Sequence, residues 1–426
     1  MTTTMHTYDQ FPFDIVDRHD AYLIDDQGKE YLDLTAGIGV CNFGYSNQQI
    51  KQAVAKQVEK VWHITNLYQN QLAEDLCPAG YQAFFCNSGT EANEAAIKLA
   101  HKATGKHELV AFDYGFHGRT TGSLSVTGYP HIQEGFAPLM PAVKMGPFND
   151  PAALDAITED TAAVILEVIQ GEGGINVGQA DWLHQVQDKC HATSTLLIID
   201  EVQSGMGRTG HRFAFEHYSL EPDMITVAKG LANGLPVGAL LAKESVAKHF
   251  QPGDHGTTFG GNKIVMSAAK EVLKQLRPEF LATVQAKGDW LFDQLEQKLS
   301  PLEAVTGISG AGSTISKSGP TILLLYAVLG TLFFFTMRAI GEMLYSQPDQ
   351  HTFVGFISKY LGKGPRVFAG LTYWLALIFA GMSELTAIAT YVKFWFPTWN
   401  TAAIEISFLA VLVLLNILAA RAFGET

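Results

Sequence analysis

Residues 194–205 read STLLIIDEVQSG, an uninterrupted apolar run that ends in two carboxylates, Asp200 and Glu201, and passes into a glycine-containing loop. Such a run reads as a strand covered on both faces, since a half-exposed strand would alternate apolar with polar residues. The same unit recurs at residues 81–106, YQAFFCNSGTEANEAAIKLAHKATGK, and at residues 161–174, TAAVILEVIQGEGG. Short apolar runs alternating with helical stretches predict an α/β domain built on a parallel sheet. In such sheets ligands bind beyond the carboxyl ends of the strands, so the loops after these runs are where chemistry is expected.

On the N-terminal side, residues 8–45 mix apolar runs with turn signals such as Asp25-Asp26-Gln27-Gly28, and predict short antiparallel strands. A helical pattern spans residues 47–62. On the C-terminal side, a charged amphipathic pattern runs from Ala268 to about Leu299, as a connector to a further domain would. The chain thus divides into a strand segment (1–45), a large ligand-binding domain with the start of a connector (46–309), and a different kind of sequence from 313 to 426.

Charge marks the same break. Up to Gly312 the chain carries 22 Lys/Arg against 37 Asp/Glu, and beyond it 7 against 5. The acidic first part lacks the basic cluster that nucleic-acid binding needs, which leaves small molecules as its partners. Cys41, Cys77, Cys86 and Cys190 are widely spaced with no C-x-x-C pair, a pattern of reduced thiols in a cytoplasmic protein and not of a zinc site. The N-terminus, MTTTMHTYDQ, lacks the basic and apolar regions of a secretion signal.

Three features of the first part carry chemistry. Ser88, Gly89 and Thr90 lie between an apolar strand and a helix, where free N–H groups and the helix dipole offer a seat for a phosphate; a plain helix cap has the same composition. Asp200 at its strand end could cap the next helix or hold a protonated ring nitrogen. In residues 224–234, MITVAKGLANG, another apolar strand ends in Lys229. That lysine is either solvated or, beside an aldehyde cofactor, an imine-forming amine whose pKa burial lowers.

The runs NSGTEANEAAIKLA, FHGRT, QGEGG, LIIDEVQSGMGRTG, AKGLANGLPVGA and HGTTFGGN, in that order, resemble the class III aminotransferases of pyridoxal-phosphate fold type I, in the acetylornithine and ornithine aminotransferase branch. The resemblance covers roughly residues 8–310. It implies a pyridoxal 5'-phosphate cofactor whose phosphate is bound by Ser88, Gly89 and Thr90, with Phe116 stacked on the ring and His117 among the contacts. Asp200 would pair with the ring nitrogen, Val202 pack on the other ring face, Gln203 approach the phenolic oxygen, and Lys229 join the aldehyde. Thr258 corresponds to a threonine that reaches the neighbouring subunit's phosphate, which implies a homodimer with shared sites. Arg119 corresponds to a substrate-carboxylate ligand, the plain alternative being a surface salt bridge. Glu172 corresponds to a gate glutamate that pairs with a second arginine, from the family's C-terminal domain, when 2-oxoglutarate is to be admitted. The amino donor stays open among acetylornithine, ornithine, succinylated diaminopimelate and 4-aminobutyrate. Val168 and Lys263 depart from the family pattern, where proline is usual.

The family's small C-terminal domain is expected to be missing after about Gly310. In its place three apolar stretches, 321–344, 367–396 and 402–422, are each long enough to span a bilayer, although buried globular helices can also be this apolar. Arg338, Lys359, Lys363 and Arg366 place the first intervening loop on the cytoplasmic side of the cell membrane, and FPTWNTAA between the second and third has no basic residue. This part, with its GMSELTAIATYV stretch and closing FGE, resembles the amino acid permeases of the amino acid, polyamine and organocation superfamily. It implies an all-α transmembrane fragment in which Gly310 to Ser313 would be an unwound substrate-contacting stretch and Glu384 a functional or paired residue. Besides an aminotransferase tethered to a membrane, two readings remain: an amino acid transport fragment with a soluble passenger, and a non-functional join of two genes near residues 310–312.

Overall fold

The computed structural model describes residues 5, 7–8, 11–64, 68 and 75–299. The three expected membrane spans, Glu384 and the junction near 310–312 lie outside the described residues. Among the described residues no helix is long and apolar enough to cross a membrane.

Near the N-terminus, β1 (Ile15–His19), β2 (Tyr22–Asp25) and β3 (Glu30–Leu32) form an antiparallel sheet in the order β1-β2-β3. Asp25 ties its turn together, its Oδ1 accepting the Gln27 and Lys29 N–H groups at 2.9 Å each. The helix Gln48–Val58 follows, capped by Asn47, whose side chain accepts the Ile50 N–H.

The large sheet contains β4 (Tyr81–Cys86), β5 (Glu108–Phe112), β6 (Val143–Gly146), β7 (Thr161–Leu166), β10 (Leu196–Asp200), β11 (Met224–Val227) and β12 (Gly238–Lys243), in the order β4-β12-β11-β10-β7-β5-β6. A small antiparallel pair, β8 (Ile169–Gln170) with β9 (Asn176–Val177), stands apart. The expected parallel sheet is corrected here: it is mixed, because β12 pairs antiparallel with both β11 and β4. The cause is the connection. Residues 228–237 join β11 to β12 through one short 3₁₀ turn, Lys229–Ala232, and a parallel return needs a crossover of roughly a dozen residues or more. The links among β5, β6, β7, β10 and β11 are long enough, and these five strands pair parallel with one another.

Alternate strand residues feed two cores. Ala163, Ile165 and Ile198 pack with Ala95, Ile97 and Leu99 of the helix Gly89–Thr104. Val164, Leu166, Leu197 and Ile199 pack with Trp182, Leu183 and Val186 of the helix Ala180–Ala192. With both faces covered, β7 is buried at every residue, which is why its sequence shows no alternation. The amphipathic pattern near the C-terminal end of the described chain resolves into two helices, Lys263–Gln275 and Pro278–Leu299. The break falls where Pro278 lacks an N–H and biases Arg277 away from helical angles.

Candidate active site

The strand order brings the carboxyl ends of β7, β10 and β11 together with the N-terminus of the Gly89–Thr104 helix, around a cavity of about 440 Å³. Every cofactor and substrate position read from the sequence lines this cavity except Thr258, which lies exposed on the 256–261 loop.

Ser88 has extended backbone and caps the helix, its hydroxyl accepting the Glu91 N–H at 3.3 Å. The remaining first-turn N–H groups have no helical partner and sit at the positive end of a 16-residue helix. Gly89 has no room for a side chain, since a Cβ there would meet two Val202 methyls at 2.7 and 2.8 Å.

Asp200 is the terminal residue of β10 and is 2% exposed. Its Oδ2 accepts from Asn93 Nδ2 at 2.8 Å, and His117 Nδ1 lies at 2.8 Å from the same oxygen, so that nitrogen carries the proton. Its Oδ1 accepts the Val202 N–H at 2.9 Å. The carboxylate is thereby fixed, and Oδ1 retains capacity for one further donor. Three buried polar atoms around it have no partner among the described residues: His117 Nε2, Asn93 Oδ1 and Gln203 Oε1. Such atoms are expensive to leave unpaired.

Lys229 lies two residues beyond the end of β11 and holds φ at +35°, a strained value for a residue with a side chain. Burial holds its amine below the ordinary lysine range; Glu167 opposes that shift, and Arg208 adds to it. Arg208 itself is pushed down to about 10 by burial, and it donates to Asn42 Oδ1 at 2.8 Å and to the Gln203 carbonyl at 2.5 Å. Phe116 stands in the cavity wall with the Arg119 guanidinium 5.7 Å from its ring centroid. Arg119 and Glu172 are exposed, and among the described residues no ion pair engages Arg119.

Glu201, beside Asp200 in sequence, points elsewhere. It accepts from Ser204 Oγ and the Ala214 and Phe215 N–H groups at 2.9, 3.0 and 2.9 Å, and so anchors the turn Ala214–Tyr218. Sequence reading missed Asn93, Arg208 and above all Glu167, a buried carboxylate on the cavity. The signal for Glu167 was present, since it ends an apolar strand as Asp200 does.

These groups fit pyridoxal phosphate: a helix terminus for the phosphate, a fixed carboxylate for the ring nitrogen, and an amine with lowered pKa. Residues 3–318 match the family model described as Aminotransferase class-III, and residues 304–426 match that described as Amino acid permease. The chain is 54% identical over 316 residues to the acetylornithine aminotransferase of Lactiplantibacillus plantarum, covering 72% of this chain and 81% of that protein. It is 47% identical over 322 residues to the acetylornithine aminotransferase of Bacillus subtilis, covering 73% and 83%. Among solved structures, the N-acetylornithine aminotransferase of Stenotrophomonas maltophilia superposes with a TM-score of 0.61 at 32% identity, over 72% of this chain and 80% of that one. The ornithine aminotransferase of Toxoplasma gondii superposes with a TM-score of 0.67 at 28% identity, over 73% and 78%.

Proposed function

The chain belongs to the class III aminotransferases, and from that premise we propose that it transfers the amino group of acetylornithine, or of a related ω-amino donor, to 2-oxoglutarate. It is a pyridoxal-phosphate enzyme. When bound, that cofactor supplies an aldehyde that joins amines and a protonated ring that draws electrons from the neighbouring C–H bond. Ser88, Gly89 and Thr90 would hold its phosphate through helix N-terminal N–H groups. Asp200 would hold the proton on its ring nitrogen, a role supported by the donors that keep this carboxylate in place. Phe116 and Val202 would enclose the ring, and Gln203 would meet its phenolic oxygen.

Lys229 has the properties of the residue that moves the proton. Its lowered pKa makes the neutral amine available to take a proton from the substrate carbon and return it. Arg119, exposed at the cavity mouth and without an ion-pair partner among the described residues, suits a substrate carboxylate. Thr258 lies away from its own cavity, which agrees with service to a second copy in a homodimer. For residues 313–426 we infer a membrane-embedded permease-like stretch, supported by the match over residues 304–426 and the three apolar runs. Separation of the full chain into membrane and soluble fractions tests that part.

The observation that carries the enzymatic reading is the convergence of Lys229, Asp200 and the Gly89 helix terminus on one cavity. The full chain, purified with pyridoxal phosphate, is expected to show visible cofactor absorption that borohydride bleaches with labelling of Lys229. Lys229→Ala is expected to remove the lysine-dependent band and reduce glutamate formation at least a thousandfold, on the order of other losses of a covalent catalytic group. No glutamate from a panel of the four candidate donors, together with no Lys229-dependent band, would refute the proposal.

A further inference from the structure

Two carboxylates stand side by side on the cavity floor in unequal surroundings. β7 and β10 run parallel with Leu166 opposite Ile199, so Glu167 and Asp200 leave the sheet at the same level. Both are buried, at 4% and 2% exposure. Asp200 has three donors around it. Glu167 has one among the described residues, the Phe116 N–H at 2.9 Å.

That single bond sits at a mechanically important place. His117 is held at its N–H by Thr127 Oγ1 (3.0 Å), at its carbonyl by Asn93 Nδ2 (2.7 Å) and at its ring by Asp200 (2.8 Å). The Phe116 N–H, one residue earlier, is held by Glu167, which therefore fixes the corner from which the aromatic wall projects.

We propose that Glu167 is a positioning residue for this site: through the Phe116 N–H it fixes the aromatic wall, and as a second buried carboxylate lining the same cavity as Lys229 it sets the protonation of the cavity floor. The inference rests on the reading of the cavity as the pyridoxal-phosphate site. The titratable groups that act on Glu167 are Asp200 at the end of β10, His117 after β5, Lys229 after β11 and Tyr129. Burial pushes Glu167 up to about 7, Asp200 adds to the rise, and His117, the Phe116 N–H and Lys229 oppose it. Glu167 is in turn the largest charge opposing the depression of Lys229. A proton on Glu167 removes that opposition and leaves the amine neutral, whereas an ionised Glu167 favours the ammonium form.

The test compares the full-length holoenzyme with Glu167→Gln and Glu167→Ala, by pyridoxal-phosphate affinity, by pH titration of the visible cofactor band, and by kcat and KM for acetylornithine. Glutamine keeps an acceptor for the Phe116 N–H but not the charge. It is expected to hold cofactor affinity within about threefold while moving the band's midpoint by at least about half a pH unit. Alanine removes the bond as well, and is expected to weaken cofactor binding about tenfold and to lower kcat more than it changes KM. If Glu167→Ala does not fold, the Glu167→Gln midpoint alone decides. A midpoint unchanged in the variants, with the wild-type band intact and dependent on Lys229, overturns this inference while leaving the proposed function standing. A wild-type chain with no Lys229-dependent band overturns both.

Discussion

Gly89→Ala should be a damaging change even though local propensity favours it. Gly89 is the first residue of the Gly89–Thr104 helix, and alanine there would gain up to about 1 kcal/mol of helix propensity. Against this, the added Cβ would lie 2.7 and 2.8 Å from the two Val202 methyls and 3.3 Å from Val202 Cβ. Carbon atoms settle at about 3.5–4.0 Å, so a gap of nearly 1 Å must open. Rotating Val202 about χ1 clears one methyl and leaves the other. Val202 cannot simply withdraw, because its N–H is bonded to Asp200 Oδ1 at 2.9 Å. The displacement therefore reaches the helix terminus and Asp200, the groups assigned to the phosphate and the ring nitrogen. Overpacking of this kind costs about 1–3 kcal/mol, which at about 1.4 kcal/mol per tenfold weakens cofactor binding by roughly five- to a hundredfold. Titration of the apoprotein with pyridoxal phosphate measures it for Gly89→Ala, Val202→Ala and the double variant. Val202→Ala should make room for the new methyl, so the double variant should recover affinity, with a coupling of about 1 kcal/mol or more. Wild-type affinity in Gly89→Ala, or a double variant no better than Gly89→Ala alone, would refute the steric argument.

Two further outcomes follow from other residues. Arg119→Ala should raise KM for the amino donor by about ten- to a hundredfold, the worth of a charge-assisted hydrogen bond to a carboxylate, with a smaller change in kcat; an unchanged KM removes Arg119 from the substrate site. Burial raises Glu201 from 4.5 to about 7. The native state then binds the proton more tightly than the unfolded chain, so its contribution is fully present below about pH 4.5 and is lost as pH rises through 7, on the order of 3 kcal/mol in all. Glu201→Gln should flatten the fall in unfolding free energy between pH 5 and 8, measured by denaturant titration, and an undiminished slope would count against the buried-carboxylate account.

The layered α/β architecture was legible because burial leaves a mark on sequence: LLIID and TAAVIL show no alternation since both sheet faces are covered. Strand direction leaves no such mark. GALLAK of β12 is as apolar as the parallel strands of the same sheet, and only the ten residues available between Val227 and Gly238 carried the information that it returns antiparallel. The amphipathic pattern from 268 to 299 hides its division into two helices for a similar reason, since Pro278 marks the interruption and the apolar spacing does not.

The site divides along the same line. Residues at strand ends announce themselves, because a charged group after an apolar run must emerge at the sheet edge, and Asp200 and Lys229 were read that way. Asn93 could not be, since it sits mid-helix and its amide reaches Asp200 across 107 residues of chain and the His117 carbonyl across 24. Its importance comes from a requirement that only the folded site expresses: a buried carboxylate needs donors, and the helix supplies one, the loop after β5 a second and the turn after β10 a third. Asp200 has that full complement, and Glu167 one strand away has a single donor. Between two carboxylates sharing a cavity, the better-solvated one keeps its charge and the poorer one takes the proton. The donor count thus agrees with the role proposed for Asp200 at the ring nitrogen, and with the proposal that Glu167 is the carboxylate whose charge responds to the lysine.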